Sequence, residues 1–339
     1  MSSPAIDTPR YAHRISIVIP VYQGERTLDS VLDEIAPLTE DFSTVDGHWA
    51  RVHEVVLAFD HGPDGSAAVI RRAAAEREYV KAVWLSRNFG QHAATLAGIA
   101  SSGGDWIVTM DEDGQHDPSS IGTMLDTALR EQADVVYASP TNEPPHGRLR
   151  NAASRTSKRV LETVFGGGDA SRFNSYRLLL GEIGRSVAAY AGTGVYLDVA
   201  LTWVAGRVVT CPLELREEGD RRSGYSYRRL MGHFWRMVLT SGTRGLRLVT
   251  AVGALFALGG VILAVYLVVM RFVSGGIPEG WTSMMVMLAL GIGLILVSLG
   301  VIAEYLGVAV NMALGRPSYL IVRDPKSGPM GHRDAPRAP

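Results

Sequence analysis

Hydrophobic and polar positions follow a regular rhythm through the first half of the chain and give way to two unbroken apolar runs in the last third. Arg14 to Val21 (RISIVIPV) is a buried-strand pattern, and Thr27 to Ile35 after it has helical spacing until Pro37 stops it. Val52 to Phe59 predicts a second strand with a helix over Ala67 to Arg77, and Val80 to Leu85 with Gly90 to Ala100 repeats the unit. Trp106 to Met110 is a fourth strand, Ile121 to Glu131 its helix, and Asp134 to Ala138 starts a further strand. Strands alternating with helices of about ten residues predict βαβ units and a mostly parallel sheet covered on both faces. The first half therefore reads as an α/β, Rossmann-like domain of the nucleotide-binding type.

The fourth predicted strand stops abruptly in Asp111-Glu112-Asp113-Gly114-Gln115-His116-Asp117-Pro118. Open α/β sheets bind ligands at the carboxyl ends of their strands, so these acids face a crevice. Asp111 and Asp113, one residue apart, can reach one hard divalent cation and leave room for phosphate oxygens, and Gln115 offers a further oxygen. No Gly-x-x-x-x-Gly-Lys-Ser/Thr occurs, and no Gly-x-Gly-x-x-Gly follows the first strand. Without a glycine cradle, a nucleotide's phosphates need another countercharge, which a cation on Asp111 and Asp113 supplies. His116 beside the acids is an ordinary hydrogen-bonding neighbour or a contact to a diphosphate. Cys211 is the only cysteine, so internal disulfides and thiolate metal sites are excluded.

Leu248 to Met270 and Trp281 to Ala303 each run without a charged side chain, long enough for a membrane span, which takes about 20 apolar residues. A short Gly-Gly-Ile-Pro-Glu-Gly turn between them predicts a two-helix transmembrane hairpin, with spans near 248–272 and 281–305. Ahead of it, Arg228, Arg229, Arg236 and Arg244 mix with Leu230, Phe234, Trp235 and Val238, the pattern of an amphipathic helix lying among headgroups. Arg244 and Arg247 precede the first span and Arg316 and Arg323 follow the second, while the connecting loop offers Arg271. The positive-inside rule then places both termini and the first domain in the cytoplasm, on a multi-pass protein of the inner (plasma) membrane. Met1 to His13 has no apolar core for a signal peptide and reads as disordered. The expected division is a catalytic domain over 14–227, an interfacial region over 228–247, the hairpin over 248–312, and a C-terminal strand and tail over 313–339, with Ser318 to Val322 returning as a strand.

Thirty-three Lys+Arg against 34 Asp+Glu leave a formal charge of -1 across 339 residues, so there is no global basic field and nucleic acid is excluded as a partner. Gly253, Gly259, Gly260, Gly291 and Gly293 permit close packing of spans between protomers, as in a dimer or tetramer.

Six segments in order carry a resemblance: Val18-Ile19-Pro20-Val21-Tyr22, Leu85-Ser86-Arg87-Asn88-Phe89-Gly90, Met110 to His116, Ser175-Tyr176-Arg177-Leu178-Leu179, Gly224-Tyr225-Ser226-Tyr227, and Ala303-Glu304-Tyr305-Leu306-Gly307 running into Gly315 to Tyr319. On them the chain resembles the family 2 glycosyltransferases of the GT-A fold, and within these the polyprenyl-phosphate sugar transferases that include dolichol-phosphate mannose synthase and bactoprenol glucosyltransferase. The resemblance implies a nucleotide-sugar donor (UDP or GDP), a polyprenyl phosphate acceptor of the undecaprenyl or dolichyl type, and hexosyl transfer for cell-envelope glycans. It implies that Pro20, Tyr22, Glu25 and Asp60 sit against the nucleoside, and that Asp111, Asp113 and Gln115 hold Mg²⁺ or Mn²⁺ on the diphosphate. Asp113 then serves catalysis together with Arg177 and Arg222, while Arg150 and Arg221, with Arg148 and Arg155, are further candidates for cradling the acceptor phosphate, which arginine binds through its fork. A lipid-flipping partner is implied downstream.

Two departures stand out. Phe59 precedes Asp60 where many relatives carry consecutive aspartates, and Ser175 stands where many carry an aspartate suggested as a general base. A phosphate acceptor has a second pKa near about 6 and needs little deprotonation, so the second departure is tolerable. The rival readings are a processive polysaccharide synthase, whose Gln-x-x-Arg-Trp motif is missing from this chain, and a catalytically silent membrane adaptor of the same fold.

Overall fold

The computed structural model describes residues 11–141, 173–192, 195–214, 216, 280–314 and 317–327, with scattered residues between 253 and 273. The sheet comprises β1 (Ala12–Val21), β2 (Phe42–Ser43), β3 (Trp49–Phe59), β4 (Val80–Leu85), β5 (Trp106–Thr109), β6 (Val135–Pro140), β7 (Arg177–Leu180), β8 (Val208–Leu213) and β9 (Ile321–Val322). Their spatial order is β8-β6-β7-β5-β1-β3-β4-β9, with the short β2 alongside β3. The pairs β1/β3, β1/β5, β3/β4 and β6/β8 are parallel, whereas β7 runs against both β5 and β6, β9 against β4, and β2 against β3. Six strands therefore share one direction, and the α/β, mostly parallel architecture read from the sequence is present as a mixed sheet.

The central strands are buried on both faces, which explains their continuous Ile/Val runs. Residues on one side of the pleat, such as Ile17, Ile19 and Leu57, pack with α1 (Leu28–Ile35), α2 (Ser66–Glu76) and α4 (Ile121–Glu131). Their alternates Val18, Val56 and Ala58 pack with α3 (Gln91–Ala100), α5 (Gly181–Tyr190) and α6 (Leu197–Val204). Period-two alternation thus feeds two separate apolar layers.

Two expectations need correction. Disorder through His13 does not hold at its end, because β1 begins at Ala12: the Tyr11 hydroxyl and the Arg14 backbone N–H and guanidinium all donate to Asp105, tying the entry of β1 to that of β5. Only the end of the predicted Ser318 to Val322 strand, Ile321–Val322, is extended against β4.

Helix α7 spans Trp281–Ala313, 33 residues or about 50 Å at about 1.5 Å per residue. Its window Leu290–Gly307 has a mean hydropathy of 2.0, and among the described residues it is the one helix long and apolar enough to cross a membrane. Leu290, Ile295, Leu296 and Val297 are exposed along it, and so continuous an apolar surface is a membrane or protein contact in water-soluble terms. Between 253 and 273 the described residues are helical, while the 228–247 region and the packing of two spans into a hairpin lie outside the described residues.

Candidate active site

The carboxyl ends of β1 and β5 open onto a cavity of about 210 Å³ whose lining includes Pro20, Gln91, Asp111, Asn174, Ser175 and Arg177. Asp111 enters it directly after β5. Its two carboxylate oxygens are held by neutral donors, Oδ1 by the Gln91 amide at 2.7 Å and Oδ2 by the Ser175 hydroxyl at 2.7 Å. Asp113 accepts the Gln115 backbone N–H at 3.1 Å, an Asx-type turn that lets Gly114 take φ 79°. Neither aspartate has a Lys or Arg in ion-pair contact among the described residues.

His116 is buried beneath this loop. Its Nδ1 accepts the Asp111 backbone N–H at 3.0 Å, and its ring stacks on Tyr176 with centroids 4.7 Å apart and planes 12° from parallel. Burial lowers its pKa and outweighs the pull of Asp111 and Asp113, so the ring is a neutral prop that leaves their charge intact.

Under the cavity lies a second electrostatic layer. Arg177, buried at the start of β7, pairs with Asp198 of α6, and its Nε donates to the Thr109 hydroxyl at 3.0 Å. The Tyr137 hydroxyl donates to the same Asp198 oxygen at 2.8 Å. Burial opposes the charge on Arg177, but Asp198, Tyr137 and Asp111 together outweigh it and the guanidinium stays protonated. Thr109 also donates to the Ser175 carbonyl at 2.6 Å, so β5 and β7 present Asp111 and Ser175 in fixed register.

Asp60, buried at the end of β3, accepts the N–H groups of Phe89 at 2.7 Å and Gly90 at 2.8 Å. Gly90 sits at φ 96°, a left-handed conformation that a side chain would strain. Burial pushes the Asp60 pKa up and the two N–H donors partly offset that. Glu112 turns away from Asp111 and Asp113, its two oxygens accepting the N–H groups of Tyr22 and Gln23 at 2.9 Å each, so the β5 loop is tied to the β1 loop. Gly62 lies so close beneath that a Cβ there would sit 1.5 Å from the Tyr22 carbonyl oxygen.

The structure thus brings Pro20, Asp111 and Arg177 to one cavity. Glu25 lies on another, more open cavity of about 330 Å³ with Gln23, Arg26 and Asp64, and its carboxylate accepts the Gly65 N–H at 2.9 Å. Tyr22 is exposed and lines neither cavity, and Asp60 acts on the protein's own backbone. Gln115 has its carbonyl bound by the Arg216 N–H at 3.2 Å. Arg148, Arg150, Arg155, Arg221 and Arg222 lie outside the described residues. Sequence reasoning missed Gln91 and Asp198. The first directly follows Phe89-Gly90, and the second is a lone charge in the apolar Tyr196-Leu197-Asp198-Val199-Ala200, where an unexplained acid signals a buried partner.

Two carboxylates and neutral oxygen donors make a set that fits a hard divalent cation. Asp113 and Gln115 are not among the residues that line the cavity with Asp111, and no group of three His, Cys, Asp or Glu side chains comes together among the described residues, so an ion on Asp111 would complete its shell with phosphate oxygens and water, as Mg²⁺ does.

Residues 16–186, half of the chain, match the model of Glycosyl transferase family 2. The chain belongs to this family. Among its curated relatives, the undecaprenyl-phosphate 4-deoxy-4-formamido-L-arabinose transferase of Klebsiella pneumoniae (strain 342) is 30% identical over 316 residues, covering 91% of this chain and 93% of the relative. The protein of the same name from Photorhabdus laumondii subsp. laumondii is 27% identical, again over 91% and 93%. Among solved structures, glucosyl-3-phosphoglycerate synthase from Mycobacterium tuberculosis in complex with Mn²⁺, UDP-glucose and phosphoglyceric acid is 21% identical over 68% of this chain and 79% of that one, with a TM-score of 0.46. For this family 2 glycosyltransferase, the matched region ends inside α5, so Asp198 and α7 lie beyond it.

Proposed function

We propose that the chain transfers a sugar from a nucleotide-sugar donor to a polyprenyl phosphate of the undecaprenyl kind at the cytoplasmic face of a membrane, with inversion at the anomeric carbon. The observation that carries this reading is Asp111, presented to a cavity by neutral partners while its charge has no Lys or Arg in contact among the described residues. Support for the acceptor comes from relatives named for undecaprenyl phosphate that align along 91% of the chain, past the matched family region and toward α7.

An acceptor phosphate oxygen forms the new bond to the anomeric carbon as the bond to the nucleoside diphosphate breaks. Mg²⁺ or Mn²⁺, when bound by Asp111 and Asp113 with Gln115 nearby, supplies positive charge to the departing diphosphate. Gln91 and Ser175 fix the plane of the Asp111 carboxylate, Glu112 holds the two loops together, and Arg177 provides positive potential from beneath. Ser175 is no base, and none is needed, because the acceptor is already largely dianionic at neutral pH with a second pKa of about 6. Pro20, Tyr22, Glu25 and Asp60 belong to the nucleoside side, with Asp60 shaping the loop that faces the base. Arg150, Arg221 and Arg222 receive the acceptor phosphate.

In the same reading the 228–247 region lies in the headgroups, the spans near 248–272 and 281–305 form a hairpin, and both termini face the cytoplasm. The protein is then a multi-pass resident of the inner membrane, assembled as a dimer or tetramer and feeding a lipid flippase. The test is transfer of radiolabel from UDP- and GDP-sugars, hexoses and 4-amino-arabinose derivatives alike, into an undecaprenyl phosphate extract by the purified chain with Mg²⁺ or Mn²⁺. Label in the organic phase, lost with EDTA, is expected. Absence of label with every donor sinks the proposal and favours the adaptor.

A further inference from the structure

We propose that the segment after α7, Ser318 to Asp324, is a positioning strap: it fastens the loop between β4 and α3, which presents Gln91 to Asp111, and thereby sets nucleotide affinity. This rests on the function proposed above for the identity of the ligand, but not for the coupling itself.

The strap is fastened along its whole length. The Ser318 hydroxyl donates to the Ala191 carbonyl at 3.1 Å, just after α5. Tyr319 is half-buried against the same apolar layer as Phe89. The Leu320 carbonyl accepts the Ser86 N–H at 2.9 Å, and Ile321 and Val322 pair with Leu85 and Trp84. Asp324 closes on Arg71 of α2 with two bonds of 2.6 Å, and that guanidinium lies 4.7 Å from the centre of the Trp84 ring. A two-residue strand is too short to hold itself in place, so the bidentate pair and the ring contact are what secure it.

Ser86 is the first residue of the loop that the strap touches. Three residues on, Phe89 and Gly90 give their N–H groups to Asp60, and the next residue, Gln91, holds Asp111 at 2.7 Å. The loop is therefore pinned by Asp60 on one side and by the strap on the other. Releasing the second pin frees the loop to shift along β4 and withdraws Gln91 from Asp111. A strap that merely covered the edge of the sheet would stabilise β4 and leave the cavity unaltered. The strap begins five residues after α7 ends at Ala313, so little chain separates the apolar helix from the strap.

The experiment uses the full chain in nanodiscs, unaltered and as Asp324→Ala, Arg71→Ala and the exchanged pair R71D/D324R. Amide hydrogen exchange at Ser86 to Gly90 and the affinity for UDP and GDP with Mn²⁺ are measured, followed by donor KM and kcat. For D324A we expect exchange to rise by about tenfold or more, as loss of a charge-assisted pair implies. Nucleotide affinity should fall and donor KM rise several-fold with kcat held, and R71D/D324R should recover much of each. Unchanged exchange in D324A overturns the coupling. Raised exchange with unchanged nucleotide affinity reduces the strap to an edge cover and overturns its positioning role. If the unaltered chain binds neither nucleotide, the proposed function fails, and exchange at Ser86 alone decides the coupling.

Discussion

Two sets of acidic side chains at opposite ends of the strands are treated in different ways. Where β1, β3 and β5 begin, three acids are matched by the fold: Asp105 by Arg14 and Tyr11, Glu54 by Lys81, Ser16 and the Gly103 N–H, and Asp126 by the Thr44 hydroxyl at 2.5 Å and His48 at 2.9 Å. Where they end, Asp111 and Asp113 meet amides and a hydroxyl. The first arrangement is complete without a ligand. The second leaves both carboxylates without a Lys or Arg partner among the described residues, and the acids' surroundings, more than their number, distinguish the two sets.

That contrast can be broken most severely from below. Asp198→Asn leaves the buried Arg177 without its counter-charge, and we expect about 3–5 kcal/mol of stability to be lost in urea melts. Asp111→Asn should cost about 10²–10³-fold in transfer rate with an unshifted urea midpoint, since its neighbours are neutral and tolerate an amide. A shifted midpoint with retained transfer would place Asp111 among the stabilising acids instead.

At the opposite end, Asp126→Asn should leave transfer per folded molecule intact and cost about 1–3 kcal/mol. There burial pushes the carboxyl pKa values of Asp105, Asp126 and Glu54 up, and their partners bring them below the ordinary range. Groups with depressed folded values stabilise above their unfolded pKa, near about 4, and lose that contribution as pH falls through the folded values. Urea midpoints should therefore drop below about pH 4, with a shallower fall in D126N. Smallest of all, Ser175→Ala removes one neutral hydrogen bond from Asp111 and should slow transfer by about two- to tenfold. A loss as large as that of D111N would make Ser175 a participant in the chemistry.

Much of this was legible along the chain because the signals are local. The strands β1, β3, β4 and β5 each carry a run of apolar residues, and Ile121 to Glu131 matches α4 at both ends. The strand β7 was not legible: Arg177-Leu178-Leu179-Leu180 is four residues long, begins with a charge and has no alternation to set its direction. Its reversal follows from tertiary pairing with Thr109 and Trp106, which no local pattern encodes. Asp111 and Asp113 were readable from type and spacing, but Glu112 between them is a latch onto Tyr22 and Gln23, and alternation of side chains along an extended segment is what turns it to the other side. Gln91 and Ser175 escaped as partners of Asp111 because they lie 20 and 64 positions away from it.

The reversed strand also separates what can drift in length from what must stay fixed. Every neighbour with an exit at the crevice would push its last side chain outward if lengthened there, so an insertion after Thr109 moves Asp111. Strand β7 enters at the crevice and departs at the far side, so residues added beyond Leu180 displace α5 and leave Ser175 where it stands. Descendants of this chain can therefore lengthen the turn after β7, so long as α6 still brings Asp198 to Arg177, while keeping one grip on Asp111.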